Sequence, residues 1–208
     1  MTQPIAHAPS APNVYLVDDD EAIRDSLSWL FQSCGITCQT YASAEDFLSD
    51  WNSERTGCVL LDIRMEGMSG PELFNLLRER GSTLPVIFLT GHGDVPMAVS
   101  ALKKGAFDFV EKPCNDNELV DRVIEALKLD ASQRAATSSA DSVNARIAEL
   151  TTRERQVMEL VLAGKFNKVI ADELQISMRT VEVHRANLFD KMGVKTAVEL
   201  AQMLTGRR

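Results

Sequence analysis

The sequence predicts two domains of different fold class, an α/β domain built on a parallel sheet and then a small all-helical domain. The length allows this division, because 208 residues suffice for one or two domains. Short apolar runs alternate with amphipathic helical patterns before residue 130, whereas only helical patterns occur after residue 149. We therefore predict a disordered leader over residues 1–12, an α/β domain over 13–129, a partly helical linker over 130–149 and a helical domain over 150–208.

The composition is that of a globular chain without a membrane span. Hydrophobic residues make up 45% and charged residues 25% of the sequence, which argues against general disorder and against a disulfide scaffold. No apolar run approaches the roughly 20 residues of a transmembrane helix, and the N-terminus lacks the features of a secretory signal. The four cysteines form no CxxC pair. We expect a cytoplasmic protein with reduced thiols and no membrane partner.

Charge is distributed unevenly between the two halves of the chain. The net charge of −8 would by itself argue against a nucleic-acid partner, because phosphates repel acidic proteins. Residues 1–130 carry −11, however, and residues 131–208 carry +3. The charge of the second half is therefore compatible with DNA binding.

Five short apolar runs are the predicted strands of the sheet. They span residues 14–17, 36–41, 58–61, 86–89 and 107–110. Ser43, Ser69 and Asn115 are predicted to begin the helices that follow three of them, since each has an acidic residue three positions later. Five strand–helix units predict a doubly wound, flavodoxin-like five-stranded parallel sheet, in which ligands bind at the carboxyl ends of the strands.

Charged and hydroxyl side chains follow four of these strands. Asp18 and Asp19 come after the first, Asp62 after the third, Thr90 after the fourth and Lys112 after the fifth. Carboxylates that meet at one sheet edge repel one another unless a cation lies among them, and hard oxygen ligands favour Mg²⁺. Phosphoryl transfer suits such a site, with one carboxylate as nucleophile and with Lys112 and Thr90 contacting phosphoryl oxygens. Each residue alone is better explained as a solvated loop residue, and only the combination predicts a site.

Three segments of the first domain carry a family resemblance. VYLVDDDEAIR, VLLDIRMEGMSG and FLTGHGDVPMAVSALKKGAFDFVEKP closely resemble the motifs of response-regulator receiver domains, and the third is typical of the FixJ subgroup. The resemblance implies that Asp62 is the phosphoacceptor for a sensor histidine kinase. It also implies that Asp18, Asp19 and Asp62 hold Mg²⁺ together with the main-chain carbonyl of Arg64.

The same resemblance implies a conformational switch. Thr90 would move toward the phosphoryl group, and the switch aromatic, Phe109, would follow it. Lys112 matches the lysine of the family motif, and a cis bond would precede Pro113. Phosphorylation would then reshape the face formed by residues 95–104 and the last strand, through which two copies would dimerise.

Two residues depart from the family pattern. Glu66 stands four residues after Asp62, where the family usually has proline, and Cys114 occupies a position that is often phenylalanine. Neither departure removes a residue with a chemical role, so we expect the site to be active.

The second domain contains four predicted amphipathic helices. The first opens with a capping box formed by Thr151 and Glu154, and Ser177 is the predicted N-cap of the third. The junction before Ser177 matches a helix-turn-helix. In the third helix Val181, Leu188 and Met192 are predicted to face inward.

Another face of this third helix is predicted to enter the DNA major groove. It consists of Arg179, Glu182, Val183 and Ala186, with Lys168, Arg185 and Lys191 as flanking cations for phosphates. Glu182 can accept from a cytosine amino group, and Val183 can contact a thymine methyl group. A small helical docking or dimerisation module with an ordinary solvated face is the alternative.

LTTRERQVMELVLAG, NKVIADELQIS and RTVEVHRANLFDKMGV resemble the LuxR-type helix-turn-helix, again nearest to the FixJ branch. This resemblance favours DNA binding and brings two more motif residues into the predicted interface. The candidate DNA contacts are Lys168, Arg179, Thr180, Glu182, Val183, His184, Arg185, Ala186 and Lys191.

Together these motifs predict a two-component response regulator that binds promoter DNA, activates transcription with RNA polymerase and dimerises on phosphorylation. It would not be a substrate-turnover enzyme, although its receiver would catalyse its own phosphorylation and dephosphorylation. One alternative is a phosphatase of the haloacid-dehalogenase type, since Asp18 and Asp20 form an Asp-x-Asp pair. The other is a phosphorylation-independent regulator with a vestigial receiver.

Overall fold

A computed structural model describes residues 13–91 and 95–205 of the chain. The described residues form an N-terminal and a C-terminal compact unit, which divide between Gln133 and Arg134. The leader predicted over residues 1–12 lies outside the described residues.

The N-terminal unit is built on a five-stranded parallel sheet with the order β2-β1-β3-β4-β5. The strands are β1 Asn13–Val17, β2 Thr37–Tyr41, β3 Gly57–Asp62, β4 Val86–Thr90 and β5 Asp108–Glu111. The five predicted strands are confirmed, and no end differs by more than one residue. The doubly wound order places the ends of β1 and β3 side by side, since Val17 pairs with Leu61.

Five helices accompany the sheet, and the three for which a cap was predicted begin directly after it. They are α1 Glu21–Ser33, α2 Ala44–Asp50, α3 Gly70–Glu79, α4 Val95–Lys103 and α5 Asp116–Ala148. The side chain of Ser43 accepts the Asp46 N–H, Glu72 accepts the Ser69 N–H, and the side chain of Asn115 accepts the Glu118 N–H. These bonds satisfy backbone donors that the first helical turn leaves unpaired.

Alternate residues of each strand pack on opposite faces of the sheet. Val17, Leu61 and Phe88 contact the cluster that includes residues of α2, α3 and α4. Leu16 and Leu60 belong to the other cluster, with residues of α1 and α5. Because both faces are covered by helices, the strands read as nearly continuous apolar runs.

Helix α5 continues through most of the segment predicted as a linker. Within the N-terminal unit, the buried carboxylate of Asp130 accepts the Gly57 N–H at 2.9 Å. Within the C-terminal unit, Val143 is buried and Arg146 donates to the carbonyl of Met192 at 2.6 Å. The predicted linker is therefore helical up to Ala148, and both of its ends contribute packed residues.

The C-terminal unit contains the four predicted helices and a core of its own. They are α6 Thr152–Leu162, α7 Asn167–Leu174, α8 Met178–Met192 and α9 Ala197–Thr205. The reciprocal bonds between Thr151 and Glu154 confirm the capping box. The side chain of Ser177 accepts the Thr180 N–H and so begins α8 as predicted. None of the helices in the described part of the chain combines the length and apolarity that a membrane span requires.

Candidate functional site

Lys112 joins two buried carboxylates at the carboxyl edge of the sheet. Its ammonium donates to Asp18 Oδ2 and to Asp62 Oδ1, each at 2.6 Å. Asp18 is 1% exposed and Asp62 is 7% exposed. The geometry follows from the topology, because β1 and β3 are neighbours and Lys112 follows the edge strand β5 in the same sheet.

Burial and charge shift the titration of this group. Burial raises the pKa of Asp62 above its usual range, while the ammonium of Lys112 opposes the rise and the charge of Asp18 adds to it. Burial lowers the pKa of Lys112, but its hydrogen bonds to Asp18 and Asp62 outweigh burial and leave that pKa raised. Lys112 is therefore a fixed positive charge at neutral pH.

Thr90 provides a buried hydroxyl on the strand beside Asp62. Asp62 pairs with Leu89 across the β3–β4 ladder, so Thr90 lies one residue further toward the carboxyl edge. Thr90 is fully buried, and within the described residues its hydroxyl has no hydrogen-bond partner. An unpaired buried hydroxyl is costly, which makes Thr90 Oγ1 a donor available to an incoming oxygen ligand. Phe109 on β5 is partly buried and packs against the core of the α2, α3 and α4 side.

The loop between β3 and α3 brings Asp19 and Arg64 to the same edge. Asp62 Oδ2 accepts the backbone N–H of Arg64 at 2.9 Å, and Asp19 Oδ2 accepts that of Glu66 at 3.0 Å. The latter bond gives a role to one of the two departures from the family pattern, since a proline there would have no N–H. Asp20 is directed elsewhere, because its carboxylate caps α1 through the Ala22 N–H.

The acidic residues fit Mg²⁺ in donor type and in charge. Asp18, Asp19 and Asp62 bring three carboxylates against the single ammonium of Lys112, so the site has an excess of negative charge that a divalent cation would offset. Across residues 13–91 and 95–205, no three side chains of Asp, Glu, His or Cys form a ready-made metal cluster.

Cys114, the other departure, lies beside this site. It lines a surface cavity of about 570 Å³ together with Leu27, Leu89 and Lys112. Burial raises the pKa of the Cys114 thiol, so this thiol is not activated as a nucleophile.

In the C-terminal unit, the predicted inward and outward faces of α8 are distinct. Val181, Leu188 and Met192 are fully buried. Four side chains predicted to read bases lie exposed, and they are Arg179, Glu182, Val183 and Ala186. Two further candidates are half-buried, Thr180 and His184, and the Thr180 hydroxyl bonds to the Ser177 hydroxyl at 2.7 Å.

The three cations predicted to meet phosphates have different surroundings. Lys168 is exposed at the start of α7. Arg185 instead donates to Asn167 Oδ1 at 3.0 Å, which ties the two helices of the helix-turn-helix together. Lys191 donates to the buried carboxylate of Glu154 at 2.7 Å. That hydrogen bond lowers the pKa of Glu154, so Lys191 supports the start of α6.

Sequence reasoning missed several residues of these sites. Asn167 and Glu154 were not predicted to hold cations, because a helical pattern gives the face of a residue but not its partner on another helix. The backbone N–H of Glu66 was also missed, since nothing in the sequence places that N–H against Asp19.

Comparisons with known proteins identify the families of both domains. The response regulator receiver domain family matches residues 14–124, and the luxR family of bacterial regulatory proteins matches residues 148–204. The C4-dicarboxylate transport transcriptional regulatory protein DctR of Rhodobacter capsulatus is 51% identical over 91% of this chain and 98% of its own. The transcriptional regulatory protein FixJ of Bradyrhizobium diazoefficiens is 42% identical over 92% of this chain and 93% of its own.

Solved structures show the same two-domain architecture. The response regulator StyR superposes with a TM-score of 0.87 at 40% identity, covering 93% of this chain and 98% of its own. Full-length FixJ from B. japonicum gives a TM-score of 0.61 at 41% identity, and the match covers 94% of this chain and 97% of the FixJ chain. A receiver followed by a DNA-binding helix-turn-helix defines a transcriptional response regulator of a two-component system. This chain belongs to the LuxR/FixJ-type response regulators.

Proposed function

We propose that Asp62 is the residue that accepts the phosphoryl group from a sensor histidine kinase. A carboxylate oxygen of Asp62 attacks the phosphorus of the phosphohistidine, the P–N bond breaks, and an acyl phosphate forms while the imidazole leaves. The bridge of Lys112 between Asp18 and Asp62 carries this proposal. It holds the nucleophile in place and puts a permanent cation where phosphoryl charge arrives.

Mg²⁺ would be held by the carboxylates of Asp18, Asp19 and Asp62 and by the main-chain carbonyl of Arg64. When bound, the metal supplies positive charge to the phosphoryl oxygens. With this set complete, the receiver would promote its own phosphorylation by small phosphodonors and its own dephosphorylation. The excess of carboxylates over ammonium groups at this edge supports the assignment.

Phosphorylation would then act through Thr90. Its buried, unpartnered hydroxyl donates to a phosphoryl oxygen on Asp62, so a hydrogen bond is gained only in the phosphorylated state. The movement of Thr90 toward the phosphate leaves room for Phe109 to turn inward. This change reshapes α4 and β5, through which two phosphorylated copies dimerise.

The output of the switch would be promoter binding by α8, followed by activation through RNA polymerase. Arg179, Glu182, Val183 and Ala186 read bases from the exposed face of α8, and Thr180 and His184 contact the same DNA at its edge. Lys168 is the main phosphate contact among the predicted cations. We assign Arg185 and Lys191 chiefly to holding the domain, because both are bound internally.

Mass spectrometry of the intact chain tests the proposed phosphoacceptor. After incubation with a small phosphodonor and Mg²⁺, we expect the mass of one phosphoryl group on the wild type and none on Asp62→Asn. Sustained phosphate release by Asp62→Asn would favour the phosphatase, with a nucleophile in the Asp18–Asp20 pair. Absence of any added mass on the wild type would favour a vestigial receiver.

A further inference from the structure

The loop between β3 and α3 is held by three carboxylates, one from strand β3, one from the loop after β1 and one from helix α2. Alternate residues of the loop donate their backbone N–H groups, one to each carboxylate. The pairs are Arg64 with Asp62 Oδ2 at 2.9 Å, Glu66 with Asp19 Oδ2 at 3.0 Å, and Met68 with Glu45 Oε1 at 3.2 Å. The loop is thus fastened at the phosphoacceptor, at the acidic pair after β1 and at helix α2.

The middle bond is the one that bears on the metal. Asp19 is a proposed ligand, and one of its oxygens accepts a hydrogen bond from an N–H whose hydrogen carries a partial positive charge. Asp18 is engaged separately by Lys112. The two neighbouring carboxylates are therefore held by different partners.

We propose that the backbone N–H of Glu66 is a positioning group that holds Asp19 away from the metal and thereby weakens Mg²⁺ binding. This inference rests on the Mg²⁺ site proposed above. A cation approaching Asp19 competes with the N–H for the carboxylate, so the hydrogen bond is lost or lengthened when the metal enters. The side chain of Glu66 is exposed, and the restraint on Asp19 comes from the backbone N–H, not from this side chain.

The restraint also connects the metal to the loop that carries Arg64. The proposed ligand carbonyl belongs to Arg64, two residues before Glu66, and the N–H of Arg64 is bound to Asp62. Release of Asp19 by the Glu66 N–H would free the middle of this loop, which carries the Arg64 carbonyl that would help to hold the cation. Metal binding would therefore be coupled to rearrangement of the loop between β3 and α3.

Two substitutions separate the backbone N–H from the side-chain charge. Glu66→Pro removes both, whereas Glu66→Gln removes only the charge and keeps the N–H. In calorimetric titrations of the full chain with MgCl₂, we expect Glu66→Pro to bind roughly tenfold more tightly than Glu66→Gln, the effect of losing one competing hydrogen bond. Affinities that agree within about twofold would overturn the proposal.

A measurement on the wild type covers the case in which Glu66→Pro does not fold. Amide hydrogen exchange by NMR should show the Glu66 amide protected without metal and exchanging faster at saturating MgCl₂. The Met68 amide is the matched control, because its acceptor Glu45 is not a proposed ligand, and its exchange should stay unchanged. Unchanged protection of Glu66 in the Mg²⁺-bound protein contradicts the proposal. A wild type that binds no Mg²⁺ at all refutes the proposed metal site itself, and this inference with it.

Discussion

Lys112 and Asp62, 50 positions apart in the chain, are joined by a hydrogen bond of 2.6 Å at the carboxyl edge of the sheet. The same ammonium binds Asp18, so two buried carboxylates share one cation. We expect this arrangement both to favour phosphoryl transfer and to stabilise the fold of the receiver.

Lys112→Met should destabilise the receiver by about 2 kcal/mol in the absence of Mg²⁺, because it leaves two buried carboxylates without their ammonium. Added Mg²⁺ should restore part of the loss. Urea unfolding followed by tryptophan fluorescence measures this, since both tryptophans, Trp29 and Trp51, lie in the N-terminal unit. Equal stability of variant and wild type in metal-free buffer would show that the bridge is not important for folding.

The raised pKa of Asp62 predicts a pH dependence of stability. The folded state holds the Asp62 proton more tightly than the unfolded state does. The contribution of Asp62 to the free energy of unfolding of the wild type therefore falls as the pH rises. The fall starts near the ordinary pKa of about 4 and ends above the raised value. The stability of Asp62→Asn relative to wild type should therefore increase over this window and then stay level. A difference between the two proteins that is independent of pH would contradict the shift.

The Glu154–Lys191 pair predicts the opposite dependence in the C-terminal unit. The pKa of Glu154 is lowered, so its stabilisation is present above the ordinary pKa of about 4.3 and is lost as the pH falls. At pH 7 Glu154→Gln should cost about 1 kcal/mol. Far-UV circular dichroism detects this loss, whereas tryptophan fluorescence does not, because both tryptophans lie in the other unit. Glu159→Gln, an exposed change on the same helix, is the control and should have little effect.

Lys168→Ala should weaken binding to all DNA sequences alike. It should also reduce the slope of log affinity against log salt concentration by about one, the effect of losing one phosphate contact. Fluorescence anisotropy over a series of salt concentrations gives this slope. Lys128→Ala removes the same charge from an exposed position of the N-terminal unit and should leave the slope unchanged. Identical slopes for the two variants would remove Lys168 from the interface.

Glu182→Ala should relax base preference at one position of the operator, at a cost of about 1–3 kcal/mol for the preferred base. Selection of bound fragments from a random DNA pool, compared between variant and wild type, measures this preference. An unchanged preference would mean that the exposed face of α8 reads DNA without Glu182.

Strands and helices could be predicted because their apolar periods are strong and local. The meeting of Asp18, Asp62 and Lys112 could also be predicted, since in a parallel sheet the residues after the strands share one edge. The continuation of α5 through the segment predicted as a linker could not be predicted in this way. Alanine there favours a helix whereas serine and threonine favour it less, and the buried contacts of Asp130 and Val143 depend on the tertiary fold.

The internal partners of the basic residues also could not be predicted from the sequence. Lys191, predicted to meet DNA phosphate, has an internal partner in Glu154, a residue 37 positions away of which the sequence showed only the capping role. Arg185 likewise finds Asn167 on the preceding helix. A net charge of +3 for residues 131–208 indicates that the unit can approach DNA, but it does not tell which cations have internal partners.

We expect phosphorylation of Asp62 to raise the affinity of the chain for its operator DNA. Affinity for a selected operator fragment is measured with and without a small phosphodonor in the presence of Mg²⁺, for wild type and for Asp62→Asn. We expect the phosphodonor to raise the affinity of the wild type at least about fivefold, within the usual range of allosteric coupling, and to leave Asp62→Asn unchanged. An equal rise in both proteins, or a fully phosphorylated wild type with unaltered affinity, would contradict it.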